Sequence, residues 1–123
     1  MIGTMLASLL TTAIAPTAVI AEKQKAPEQI DVAYEQLLVG ETDQAIATLE
    51  QSPYANDPAR LINLGTAHAQ AGDYRKAAKF FRAALASDTR YQMELADGSW
   101  MDSRAVARTA LTNLESRTAI AMR

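Results

Sequence analysis

The chain contains no cysteine. That absence removes a disulfide framework, a thiol nucleophile, a thiolate metal site and the lipid-modified cysteine of a lipoprotein. Aromatic residues are scarce, so a core has to be assembled mainly from aliphatic side chains and alanine. His68 is the only histidine, and one histidine without cysteine supplies too few donors for a metal site. It reads as a core or half-buried histidine on a helix. Basic residues never run longer than Arg75-Lys76 and the formal net charge is −2, which argues against a nucleic-acid-binding face. Arg104, Arg108 and Arg117 read as a solvated helix face.

Catalytic groupings are missing as well. No P-loop, dinucleotide fingerprint or G-x-S-x-G elbow is present, and Ser87, Ser99, Ser103 and Ser116 have no catalytic context. Glu22, Glu28, Asp31 and Glu35 fall on different helix faces, while Glu94 and Asp97 read as solvated loop acids. The expectation is a protein that is not an enzyme and uses no cofactor or metal.

Hydrophobic residues nevertheless make up 49% of the 123 positions, enough to bury a core in one modest domain. Alanine dominates that fraction. It favours helix and permits close helix–helix approach, so the fold class expected is all-α with thin layers.

Residues 1–21 carry no charged side chain. An apolar stretch from Met5 to Ala15 ends at Pro16, and Val19-Ile20-Ala21 offers the small residues that a signal peptidase inspects. The reading is a signal peptide over 1–21, cut before Glu22, with export to the periplasm. The N-terminal region lacks the usual Lys or Arg. A retained membrane anchor is the rival, although Thr4, Ser8, Thr11, Thr12 and Thr17 dilute its hydrophobicity. Residues 22–27 are polar and read as a linker.

Beyond the linker the apolar residues recur at helical spacing. Ile30, Ala33, Tyr34, Leu37 and Leu38 form one stripe, ended by Gly40 where a left-handed cap is wanted. Ala45, Ile46 and Leu49 form a shorter stripe up to Ser52-Pro53. Asn56-Asp57-Pro58 is a helix start, a capping side chain followed by proline at the first helical position. Leu61, Leu64, Gly65, His68 and Ala69 follow, and Gly72 ends that run before Ala77, Ala78, Phe81, Ala84 and Leu85. Gly40 recurs as Gly72, Ala45 as Ala77 and Leu49 as Phe81, a common offset of 32 residues. Such a period is the signature of stacked helix–turn–helix units.

Leu61-x2-Leu64-Gly65-x2-His68, then Gly72-Asp73-Tyr74, then Ala77-x3-Phe81 and Ala84, resembles the tetratricopeptide repeat. Leu61, His68 and Thr89 stand where that family's pattern has tryptophan, tyrosine and proline. The resemblance implies two repeats over 28–91, with Gly65 and Ala77 at the close crossing of one hairpin and Phe81 and Leu61 beside it. It also implies a concave groove lined by the first helix of each hairpin. Carried over by position, the partner-binding residues would be Ala59, Ile62, Asn63, Thr66 and Gln70 from the second repeat. Ile30, Asp31, Tyr34 and Leu38 would face the same way from the first. Asn63 stands where family members place an amide that hydrogen-bonds a peptide backbone. The charge-clamp lysines and arginines used by chaperone-binding members are absent, which argues against that partner class.

Residues 92–123 do not repeat. Tyr91, Met93 and Leu95 alternate with polar residues, as in an extended segment, and Asp97-Gly98 turns the chain. Ser99-x-x-Asp102 has the form of a capping box for a last helix. Val106, Ala110 and Leu114 would pack on the second hairpin and cap the array. Trp100 is expected at that junction rather than at a ligand site. The function expected is a protein or peptide interaction module, an adaptor or assembly factor, with Ile62→Glu or Asn63→Ala weakening capture and leaving helicity unchanged. A membrane-anchored scaffold and self-association through exposed apolar surface are the alternatives.

Overall fold

The computed structural model describes residues 28–121, so the expected signal peptide and linker lie outside the described residues. Within them the fold is all-α apart from one small β-hairpin. The elements are α1 (Glu28–Leu38), α2 (Thr42–Glu50), α3 (Pro58–Gln70), α4 (Tyr74–Ala86), β1 (Gln92–Glu94), β2 (Trp100–Asp102) and α5 (Ser103–Ala121).

The helix boundaries follow from capping chemistry. Asp57 is the N-cap of α3, its carboxylate accepting from the Arg60 N–H at 3.1 Å, and Pro58 occupies the first turn, where a missing N–H costs nothing. Asp73 caps α4 in the same way through the Lys76 N–H. Gly40 and Gly72 close α1 and α3 with φ of 81° and 83°. At each, the next residue's N–H reaches back to the last turn: Glu41 to the Gln36 carbonyl and Asp73 to the His68 carbonyl, both at 2.9 Å. Alanine at Gly72 is expected to cost about 1 kcal/mol by thermal denaturation, because an L residue is strained at that φ although nothing crowds its side chain.

Two antiparallel helix pairs result, α1 with α2 and α3 with α4, and α5 packs along α4. Helix α3 is the centre, touching α1, α2, α4 and α5. Its apolar residues divide between two cores. Leu64, Ala67 and Ala59 join Ile30, Ala33, Leu37, Ala45 and Leu49. Leu61 and Ile62 join Ala77, Phe81, Ala84, Ala107, Leu111 and Leu114. Alanines are interspersed among the larger side chains of both cores, which lets the helices pack close. Gly65 lies directly beneath the Phe81 ring, so Phe81 fills the crossing itself rather than the space beside it. His68 is half-buried and stacks parallel on Phe80, with ring centroids 5.3 Å apart.

The C-terminal part differs from the sequence expectation in two places. Ser99 does not begin a helix: its hydroxyl and N–H both bond the Asp97 carboxylate and shape the turn, and Trp100–Asp102 is a strand. The last helix starts at Ser103, where Asp102 accepts from the Arg104 N–H at 3.0 Å. In place of the capping box, Met93 pairs opposite Met101 across the Asp97-Gly98 turn. Trp100 is not sealed between helices either: it is half exposed, opposite Glu94 on the hairpin. Of the expected cap contacts, Leu114 is buried, and Val106 and Ala110 pack half-buried against the second core.

Candidate functional site

A groove of about 1320 Å³ runs between α1, α3 and the β-hairpin. Its volume lies above the roughly 300–1,000 Å³ of pockets that enclose small molecules. Ile30, Asp31, Tyr34, Ala59, Ile62, Asn63, Thr66 and Gln70 all line it, together with Leu37 and Leu38.

Those residues do different things. Ile30, Ala59 and Ile62 are core residues whose edges form the floor, with 2%, 4% and 5% of their surface exposed. Glutamate at Ile62 would bury a charge, so that substitution would unfold α3 rather than leave helicity unchanged. The sequence expectation for Ile62→Glu is therefore corrected. Thr66 is half-buried and bonds back to the Ile62 carbonyl at 2.9 Å. Gln70 is engaged in linking the hairpins: its amide oxygen accepts from the Thr42 hydroxyl at 3.0 Å and its NH2 donates to the Leu37 carbonyl at 3.4 Å. Asn63 is half-buried, and its carboxamide has no hydrogen-bond partner among the described residues. Both its donor and its acceptor capacity thus remain for whatever enters the groove. Asp31 is exposed at the α1 rim and Tyr34 is half-buried beside it.

The opposite wall was not legible from the sequence. Tyr91, Gln92, Met93, Glu94, Leu95 and Ala96 line the groove consecutively, as do Gly98, Trp100 and Val106. Alternation at Tyr91, Met93 and Leu95 signals an extended segment, but nothing local says which helices that segment will face.

Hydrogen bonds tie this wall to the helices. The Tyr91 hydroxyl lies 2.8 and 2.9 Å from the two Asp57 carboxylate oxygens and accepts from the Ala59 N–H at 3.3 Å. Burial, then the bond to Asp57 and its charge, push the Tyr91 phenol well above its ordinary pKa. The Ser103 N–H donates to the Tyr91 carbonyl at 2.9 Å, anchoring the strand to the start of α5. Arg90 and Asp102 form a 2.6 Å ion pair at the hairpin base, and that bond holds the Asp102 carboxyl below its usual range. Asp97 is lowered by its bonds from Ser99.

Among the described residues, no group of three or more His, Asp or Glu is placed to hold a metal ion, and no helix is long and apolar enough to cross a membrane. The chain matches no family model, no curated protein and no solved structure.

Proposed function

We propose that this protein is a non-enzymatic interaction module, an adaptor or assembly factor that holds a protein segment in the α1–α3 groove. The observation that carries the reading is the groove itself: an open, largely apolar concavity along α1 and α3, with the Asn63 carboxamide in its wall unpartnered among the described residues. An extended protein segment offers what such a surface takes, apolar side chains for the floor and backbone amides for Asn63. On this reading the two hairpins are tetratricopeptide-like repeats closed by α5. The uncharged residues 1–21 act as an export signal, and the module works in the periplasm.

Photo-crosslinking from Thr66 in cells, with adducts identified by mass spectrometry, tests this. Envelope proteins captured at Thr66, with adduct yield falling severalfold in Asn63→Ala while circular dichroism stays unchanged, are the expected result. A Thr66 probe that captures no other protein would remove the groove from the function. An intact mass beginning at Met1 rather than Glu22 would remove signal cleavage.

A further inference from the structure

The groove has a feature that two helical hairpins alone would not provide, the edge of a β-strand. In an antiparallel pair, residues that exchange hydrogen bonds alternate with residues whose N–H and C=O point away from the partner strand. The register pairs Gln92 with Asp102, Met93 with Met101 and Glu94 with Trp100. The Leu95 N–H bonds the Ser99 carbonyl at 2.8 Å and the Ser103 N–H bonds the Tyr91 carbonyl at 2.9 Å. These two bonds set the parity: Tyr91, Met93 and Leu95 point their backbone groups into the hairpin. Gln92 and Glu94 point theirs outward from β1, and those groups have no partner among the described residues.

The three residues of β1, Gln92, Met93 and Glu94, all line the groove, within an unbroken run from Tyr91 to Ala96. An edge strand with unpaired backbone groups is a template for another strand. The charge around it is also one-sided: among the described residues, the charged side chains lining the groove are Asp31 on one wall and Glu94 on the other, both acidic.

We infer that the groove takes an extended, cationic peptide segment that adds as a third strand to the outer edge of β1. This rests on the interaction-module reading above and names the partner's chemistry. The incoming backbone pairs with the outward groups of Gln92 and Glu94. Alternate apolar side chains settle on the floor around Ile62 and Met93, and a Lys or Arg lies between Asp31 and Glu94.

The test uses the purified full-length protein and a fluorescent synthetic peptide of alternating valine and threonine with lysine at each end. Anisotropy is expected to report saturable binding that weakens as salt is raised. Replacing the lysines by glutamates is expected to weaken it about tenfold, and N-methylation of alternate peptide amides by a similar factor. Gln92→Pro removes one outward N–H and leaves the β1–β2 ladder intact, since proline is tolerated where the N–H faces away from the partner strand. It is expected to bind about tenfold more weakly with unchanged circular dichroism. Hydrogen exchange at the Gln92 and Glu94 amides should slow when the peptide binds.

Equal binding of the N-methylated and unmodified peptides, or of the lysine and glutamate peptides, would overturn the inference. So would absence of binding, or amides at Gln92 and Glu94 already protected without peptide, which would assign the edge to this chain's own N-terminal segment or to a second copy. Thr66 adducts that persist unchanged in Gln92→Pro would sink strand addition while leaving the interaction module standing. Loss of all Thr66 adducts in the unmodified protein would sink both.

Discussion

Gly65→Val is expected to lower the stability of the fold by about 3 kcal/mol, read from urea denaturation. A Cβ at this position would lie 2.5 Å from Phe81 Cε1 and 2.6 Å from Cδ1, closer than any real contact. The ring cannot swing aside, because Phe81 is 3% exposed and enclosed by the second core. Relief therefore requires α3 and α4 to separate, which would thin the contacts of every alanine along that crossing. Gly65→Ala resolves the two opposing terms. Alanine in a helix interior gains about 1 kcal/mol over glycine, while overpacking costs about 1–3 kcal/mol. The net result expected is a loss, smaller than for valine. Combining Gly65→Ala with Phe81→Leu should be less destabilising than the sum of the two single changes, since leucine vacates the space the ring holds. A stabilised Gly65→Ala protein would remove the Phe81 contact as the reason for glycine at this position.

The second large effect lies at Asp57, and it reaches the groove. One carboxylate caps α3 through the Arg60 N–H and receives the Tyr91 hydroxyl, so a single side chain fixes both the helix start and the strand wall. Asp57→Ala removes a cap worth about 1 kcal/mol and a hydrogen bond to a charged group worth about 1.5–3 kcal/mol. It should destabilise the protein by about 3 kcal/mol. Tyr91→Phe keeps the cap but deletes the bond to Asp57 together with the longer one that the hydroxyl accepts from the Ala59 N–H, and should cost about 2 kcal/mol. Hydrogen exchange in β1 should quicken in both variants, because Tyr91 leads directly into that strand.

The same contact carries a pH signature. The folded Tyr91 phenol keeps its proton to a higher pH than an unfolded tyrosine, whose ordinary value is 10.0. Its stabilising contribution is therefore complete below that pH and declines as pH rises beyond it. Wild-type stability should fall with pH above about 10 more steeply than that of Tyr91→Phe. Parallel alkaline profiles for the two proteins would remove Tyr91 from the account.

Much of the helical scaffold is legible in local chemistry. Gly40 and Gly72 end helices because only their backbones adopt a left-handed cap cheaply, and Asp57-Pro58 begins one because both residues suit a first turn. The spacing of Ile30, Ala33 and Leu37, and of Ala77, Phe81 and Ala84, marks the faces that become buried. The nine side chains that the resemblance places on a common face all line one groove. Their individual states were not legible: Ile62 is sealed in a core, Gln70 is bonded across the hairpins and Asn63 has no partner among the described residues.

Ser99 and Trp100 show why the reading stops there. Ser99-x-x-Asp102 satisfies a helix-start rule over four residues, yet Met101 pairs with Met93 and a strand forms. A capping preference of about 1 kcal/mol is outweighed once a hairpin can bury Met93 against both cores and anchor Tyr91 on Asp57. Helix periodicity, caps and the uncharged first 21 residues depend only on near neighbours, and so they are present in the chain before it folds. The hairpin's position across from α1, the outward-facing edge of β1 and the acidic pair Asp31 and Glu94 exist only after distant segments have packed. No local preference encodes them, because their energy resides in contacts between residues far apart in the chain.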